Sequence, residues 1–224
     1  MPNEVFSDLI LPEIRFPGDP ASYIAPTYDH LDEICFRLAG LVKGVEMQDG
    51  KPYDRVIVLA SGAWTMARAF IDYLGTKNAT SIRFSSYEGM KKLDKPKLIE
   101  SLPPEVSVEG AKIISFDDVN DSGETDHENE VYLLSKGAIV VDSAVLYQKS
   151  NVTKHPSRFH GPTTSSWIVF PHERTEFLQE RCLEWLQKGV DPKDVEERLA
   201  RLSIPVHRIE KLVAGLIKER GLAR

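Results

Sequence analysis

Three apolar, β-branched runs separated by helical periods constrain this chain more than any other feature. Arg55 to Ala60 reads Arg-Val-Ile-Val-Leu-Ala, Lys112 to Phe116 is the next run, and Ala138 to Tyr147 is a third. Runs without polar alternation mark strands buried on both faces. Between them Met66 to Leu74 and Glu124 to Ser135 have helical patterns, and a short strand is expected over Ser81 to Ser85. Upstream, from Thr27, the apolar residues Leu31, Ile34, Cys35, Leu38 and Leu41 recur at three- and four-residue spacing. Strand and helix in alternation predict an α/β fold with a parallel sheet and crossover helices. Ligands of such sheets bind beyond the carboxyl ends of the strands, where Ser61-Gly62-Ala63 and Asp117-Asp118 both fall.

The second of these ends carries the most chemistry. Residues 113–125 read Ile-Ile-Ser-Phe-Asp-Asp-Val-Asn-Asp-Ser-Gly-Glu-Thr. An apolar strand stops at two carboxylates, a turn of small polar residues follows, and a helix starts near Glu124. Free backbone N–H groups of the turn and first helical turn suit a phosphate, and the acids can accept hydrogen bonds from ribose hydroxyls. Asp, Asn, Ser and Gly also suit any strand-to-helix turn. A calcium loop fits Asp118, Asn120, Ser122 and Gly123, but it fails at its twelfth position, which is Asn129, and a strand precedes it where a helix should stand. Glu124, Asp126 and Glu128 crowd the helix start; they suit its dipole but would repel an anion.

The remaining bounds are coarser. A chain of 224 residues holds one substantial core or a domain plus an appendage. A net charge of −6 argues against a general nucleic-acid or membrane-surface binder. No apolar run approaches the roughly 18 residues of a spanning helix. The Met-Pro-Asn-Glu-Val start lacks a signal peptide's features, and Cys35 and Cys182 have no paired spacing, so a reduced cytoplasm is the expected compartment. Residues 1–26, with five prolines, predict an extended arm that covers a sheet edge or a neighbouring subunit. Residues 88–104, with Lys91, Lys92, Lys95 and Lys97, predict a mobile loop. After Glu173 three helices are expected. The first has Phe177, Leu178, Cys182, Trp185 and Leu186 apolar, and the second opens at Asp191-Pro192. A third follows Pro205 and carries Ile209, Leu212, Val213, Leu216 and Ile217. The expected division is therefore an arm (1–26), a main domain (27–174) and a three-helix appendage (175–224).

Phe116-Asp117-Asp118-Val119-Asn120-Asp121-Ser122-Gly123-Glu124-Thr125 resembles the phosphoribosyl pyrophosphate (PRPP) motif of type I phosphoribosyltransferases: a hydrophobic strand, two acids, two variable positions, then Asp-Thr/Ser-Gly-x-Thr. Further segments fall in the order of a purine enzyme of that family, close to the bacterial xanthine-guanine type. Ala60-Ser61-Gly62-Ala63 occupies the place of the pyrophosphate loop, where the family usually has Arg-Gly-Gly, so Ser61 and Ala63 are departures. Ser86-Tyr87 resembles the start of the flexible catalytic loop. Lys149, at a strand end, corresponds to the lysine placed against the purine's C6 group. Trp167 and Ile168 resemble the nucleobase segment, and Glu173 takes the place of an acid near magnesium and pyrophosphate. Each has a plainer reading: a strand-to-helix turn, a solvated loop, an exposed lysine, a core tryptophan.

The resemblance implies a type I phosphoribosyltransferase fold, a mostly parallel sheet flanked by helices, with a C-terminal helical bundle. It implies a homodimer and the conversion of a purine base and PRPP to a nucleoside 5′-monophosphate and pyrophosphate with Mg²⁺. On it, Asp117 and Asp118 hold the ribose hydroxyls and Asp121 manages the purine N7 proton. Ser122, Gly123, Glu124 and Thr125 bind the 5′-phosphate. Lys149 suits a 6-oxopurine (guanine, hypoxanthine or xanthine), whereas the helical C-terminal third resembles archaeal adenine phosphoribosyltransferases and tips the expectation to adenine. A PRPP-sensing regulator with a nucleic-acid-reading tail is a different class of reading. Against it, Asp191 to Arg224 carries a charge of only +2, eight Lys/Arg minus six Asp/Glu. A relic fold without chemistry would follow from Ser61 and Ala63.

Overall fold

The computed structural model describes residues 5–88, 91–152, 154–205, 207–209, 211, 213 and 215. Of the expected third C-terminal helix, Leu212, Leu216 and Ile217 lie outside the described residues, as do the side chains of Tyr87, Lys91 and Lys92. The chain falls into two compact units, one of residues 1–10 with 29–165, the other of 11–28 with 166–224.

The first unit is a seven-stranded sheet with helices on both faces. Its chain order is α1 (Tyr28–Asp49), β3 (Arg55–Ala60), α2 (Trp64–Leu74), β4 (Ala79–Glu88), β5 (Lys91–Glu100), β6 (Lys112–Asn120), α3 (Glu124–Ser135), β7 (Val140–Lys149), β8 (Phe159–His160) and β9 (Thr163–Thr164). The spatial order is β5-β4-β3-β6-β7-β8, with β9 also on β7, and every pairing is parallel except β4 with β5. The α/β architecture is therefore the one expected. Alternation along the strands divides the core. Ile57, Leu59 and Ile113 pack with Leu133 of α3, so Val56 and Val58 face the other way. On that opposite side Phe116 of β6 stacks on Phe70 of α2, ring centroids 4.3 Å apart. Cys35 of α1 reaches the Met66 carbonyl of α2.

Within residues 88–104, Lys91–Glu100 are not the loop that their composition predicts. Lys91–Glu100 is the outermost strand of the sheet, antiparallel to β4, with Arg83 opposite Glu100 and Ser85 opposite Lys97. Lysines and Pro96 in such a strand guard an open edge against pairing with another chain, and that same composition reads as a loop. β4 is correspondingly longer than Ser81–Ser85.

The second unit pairs β1 (Ile14–Arg15) with β2 (Ser22–Ile24) and β2 with β10 (Trp167–Ile168). Its helices are α4 (Arg174–Phe177), a π-helical turn at Leu178–Cys182, α5 (Leu183–Gln187) and α6 (Pro192–Arg201). As the sequence indicates, Asp191 caps α6, accepting from the Lys193 N–H at 2.9 Å. Residues 11–28 belong with these helices of their own chain. Phe16 and Tyr23 sit in one core with Phe177, Cys182, Trp185, Val195 and Leu199. Asp19 ties the arm down, accepting from Tyr23 Oη (2.6 Å), Trp185 Nε1 (2.7 Å) and the Ala21 N–H (2.9 Å). Among the described residues no helix is long and apolar enough to cross a membrane.

Candidate functional site

From periodicity the strand before the acidic turn ends at Phe116; in the structure β6 continues to Asn120. Asp117 lies opposite Val145, Val119 opposite Tyr147 and Asn120 opposite Gln148 of β7. Pairing with β7 holds the acids inside the ladder. A cavity of about 180 Å³ opens at this strand end, lined by Ser86, Asp117, Val119 and residues 120–126. It gathers Ser86 from β4 with Asp117, Asp121, Ser122, Gly123, Glu124 and Thr125. Asp118 is buried and lies against the turn after β3: a Cβ on Gly62 would overlap its carboxylate.

The helix that begins here has no side-chain cap. Gly123 occupies the cap position at φ +86°, and the Glu124 N–H makes only a long hydrogen bond, 3.4 Å, to Ser122 Oγ. N–H groups in a first helical turn that no side chain satisfies are ready donors for an anion. The positive φ suits glycine, and a Cβ there would also run into the Lys154 and His155 carbonyls.

The acids that crowd this helix start are largely spoken for. Asp126 turns inward and accepts from Asn120 Nδ2 (3.1 Å) and Ser157 Oγ (2.6 Å). Glu128 pairs with Lys95 of β5 at 3.4 Å. Glu124 alone of the three is exposed. Burial pushes the Asp126 carboxyl above its usual range, against the pull of its bonds from Ser157 and Ser143. Burial, reinforced by the Asp118 and Asp126 charges, pushes Asp117 well above the carboxylate range.

Asn120 is the residue that sequence reasoning missed. It is buried, and its amide donates to Asp126, to the His155 carbonyl (3.1 Å) and to Ser157 Oγ (2.9 Å). Ser157 is fixed in turn by its N–H on Gln148 Oε1 (2.9 Å). The His155 ring stacks on His127 of α3, centroids 4.0 Å apart. Residues 154–157 thus clasp the turn from outside. Asn120 falls at a variable position of the motif, and nothing local in the sequence marks Ser157 or His155.

The turn after β3 is built differently. Ser61 is exposed, Gly62 half-buried and Ala63 buried, the last with ordinary helical backbone at the start of α2. The Ala60–Ser61 peptide is cis. No side chain caps α2 either, and the Trp64 N–H bonds to the Ser61 carbonyl at 3.1 Å. Lys149 ends β7 beside the acidic turn. It is half-buried, and burial lowers its ammonium from the usual lysine value while the nearby Asp121 charge opposes that shift.

Trp167, Ile168 and Glu173 lie on the second unit. Trp167 is 39% exposed, with the Arg181 guanidinium 4.5 Å from its ring centroid, while Ile168 is buried. Glu173 is half-buried and its carbonyl opens α4 by accepting from the Phe177 N–H at 3.0 Å. Taken singly, the carboxylates of Asp117 in the first unit and Glu173 in the second are of the ligand type that Mg²⁺ takes, hard oxygens, ordinarily only one or two from protein beside substrate phosphates. The upward push on Asp117 marks a place where a cation would relieve crowded negative charge.

No protein-family model matches the sequence, and no curated protein does. Solved structures do match. A purine phosphoribosyltransferase from Pyrococcus horikoshii is 22% identical, with a TM-score of 0.56 over 67% of this chain and 93% of the other. A Helicobacter pylori xanthine-guanine-hypoxanthine phosphoribosyltransferase is 18% identical, with a TM-score of 0.54 over 71% of this chain and 98% of that one. A hypothetical protein from Neisseria gonorrhoeae, solved with bound ppGpp, is 23% identical, with a TM-score of 0.58 over 69% and 91%. The chain is structurally similar to purine phosphoribosyltransferases and has the type I phosphoribosyltransferase fold.

Proposed function

We propose that this chain is a purine phosphoribosyltransferase that joins a 6-oxopurine base to the ribose 5-phosphate of PRPP and releases pyrophosphate. One observation carries the reading: the uncapped start of α3, with Gly123 at its cap, opens into a cavity lined by Asp117 and residues 120–126. A phosphorylated sugar satisfies both halves of that arrangement, with N–H donors for its phosphate and carboxylates for its hydroxyls.

In this reading Ser122, Gly123, Glu124 and Thr125 bind the 5′-phosphate through backbone N–H groups and hydroxyls. Asp117 and Asp118 accept from the ribose 2′- and 3′-hydroxyls. The transition state gains positive charge at the sugar as the bond to pyrophosphate breaks, so the adjoining carboxylates act electrostatically. Asp121 takes the proton displaced from the base at N7. Backbone N–H groups of Ala60, Ser61, Gly62 and Ala63 face the pyrophosphate, and Ser86 and Tyr87 close over PRPP. Trp167 stacks on the base while the backbone at Ile168 reads its edge. Mg²⁺, held with Glu173 as one ligand, would neutralise pyrophosphate charge when bound. The assembly we propose is a homodimer.

The choice of base turns on Lys149. An ammonium donates to a C6 oxygen and has nothing to accept from a C6 amine, and Lys149 stands within electrostatic reach of Asp121. That favours a 6-oxopurine over the adenine expected from the helical C-terminal third. The Helicobacter enzyme of similar fold, named for xanthine, guanine and hypoxanthine, points the same way. Nucleotide formation from PRPP with adenine, guanine, hypoxanthine and xanthine tests this directly. We expect turnover of at least one 6-oxopurine, with kcat falling roughly 10²–10⁴-fold in Asp121→Asn. Turnover of adenine alone overturns the base assignment. No turnover of any base, together with no binding of ribose 5-phosphate, overturns the whole reading.

A further inference from the structure

Trp167 is not a bare platform. It lies on β10, where its backbone pairs in register with Tyr23 of β2 and the Val169 N–H bonds to the Ile24 carbonyl at 2.8 Å. Strand alternation sends Ile168 into the core and Trp167 outward. One face of the indole carries the Arg181 guanidinium, 4.5 Å from the ring centroid, yet the residue remains 39% exposed. Part of the residue is therefore open, and Arg181 takes up only one face of its ring. A flat aromatic backed on one face and partly open is shaped to take a second flat ring.

Arg181 is itself held. Its side chain is mostly buried, it forms an ion pair with Glu184 one helical turn on, and it rides on the π-helical turn Leu178–Cys182. A π-helical turn inside a helix commonly marks a functional position. The Arg181 Nε is buried and has no hydrogen-bond partner, so the stack over Trp167 is not a by-product of a fully satisfied polar network. A surface ion pair with Glu184 alone would need no burial of this group.

We propose that Arg181 is the positioning residue of the nucleobase subsite: by stacking on the far face of Trp167 it fixes the indole plane that receives the base. This rests on the reading of Trp167 as the base-stacking residue. The guanidinium also draws π density from the indole, which favours a neutral or anionic heterocycle on the open face over a protonated one. The helical C-terminal unit thereby contributes to base binding through Arg181.

The experiment compares Arg181→Met, Arg181→Lys and Trp167→Phe in the full chain. Its readouts are KM for the base, KM for PRPP, and the quenching of tryptophan fluorescence as guanine is titrated. Arg181→Met keeps an unbranched apolar stem and loses the cation. It should raise KM for the base roughly tenfold, a share of the ordinary worth of a base stack, and leave KM for PRPP within about twofold. Arg181→Lys keeps the charge available to Glu184 but not the planar stack, so it should resemble Arg181→Met. Guanine quenching should be absent in Trp167→Phe and weakened in both Arg181 variants. If Trp167→Phe raises KM for the base and Arg181→Met does not, Arg181 has no positioning role and the base-stacking reading stands. Full recovery of the base KM in Arg181→Lys overturns the planar stack. Equal rises in both KM values mark a purely structural residue and overturn the proposal. If guanine binding and KM are unchanged in Trp167→Phe, the base-stacking reading fails and this proposal with it.

Discussion

The turns that follow β3 and β6 are two answers to one structural problem. Each ends a parallel strand, each starts a helix without a side-chain cap, and the two strands are neighbours in the sheet. After β6 the turn is fixed by side chains: Asn120, Asp126 and Ser157 form a buried polar network, and residues 154–157 clasp it at Gly123. After β3 the turn is fixed by backbone and by one close approach, Gly62 against the Asp118 carboxylate. The difference teaches which substitutions each can bear. A loop that works through its backbone tolerates exchanges at Ser61, whereas a loop held by a network needs its residue types.

The two glycines break this comparison most sharply. In Gly123→Ala the new Cβ meets backbone carbonyls of Lys154 and His155, which cannot move without opening the clasp, and the backbone sits at φ +86°. We expect a loss of about 3 kcal/mol, a fall in Tm of roughly 6–12 °C in a chain of this size. In Gly62→Ala the three atoms nearest the Cβ all belong to the Asp118 side chain, whose Oδ1 accepts from the Val119 N–H at 2.8 Å and whose shift needs no backbone movement. Tm should change little there, while KM for PRPP rises because Asp118 is displaced from the ribose. Thermal unfolding with PRPP titration separates the two, and similar Tm losses in both would refute the distinction.

Why the turns differ in legibility follows from the same contrast. The motif after β6 could be recognised because its chemistry is written in side chains within one short run. Arg55 to Ala60 and Glu124 to Ser135 have the bounds expected of them, since continuous apolar runs and helix-start residues are local signals. The clasp was not legible. Ser157 and His155 act on Asn120 from 35 or more positions away, and no periodicity reports a contact of that range. The edge strand Lys91–Glu100 was hidden because protection of an edge uses the residues of loops. The proline-rich arm joins the helical unit through Phe16, Asp19 and Tyr23, three residues that carry no pattern until Trp185 is beside them.

Asp117 sharpens the comparison from the side of function. Its carboxyl is pushed up by burial and by neighbouring acids, so the folded protein bears a cost for its ionised form. The Asp118 N–H bonds to its Oδ1 at 2.9 Å, an acceptor that asparagine retains. Asp117→Asn should therefore lower kcat/KM for PRPP roughly 10–100-fold, the worth of a charged hydrogen bond to the ribose, while raising Tm by about 2–4 °C near neutral pH. The sign follows from linkage. A carboxyl raised in the folded state favours folding below the unfolded value, about 3.9, and loses that advantage as pH rises through the folded value. The Tm gain of the variant should thus vanish below about pH 4, and a gain that persists there would refute burial of charge as its cause.

The smallest expected effect concerns the turn after β3. If that turn serves pyrophosphate through its backbone, Ser61 lacks the reinforcing charge of an arginine and leaves the framework. Ser61 is exposed, so a longer side chain there meets no core, and Gly62 still supplies the close approach to Asp118. Ser61→Arg should then lower KM for PRPP about threefold. That is less than the ~1.5–3 kcal/mol of a well-ordered charged hydrogen bond, because an exposed arginine is screened and must be ordered on binding. Tm without ligand should stay within about 1 °C, as for most exposed substitutions. A rise in KM for PRPP in Ser61→Arg would mean that the turn does not face pyrophosphate, and the likeness between the two turns would then be one of backbone shape alone.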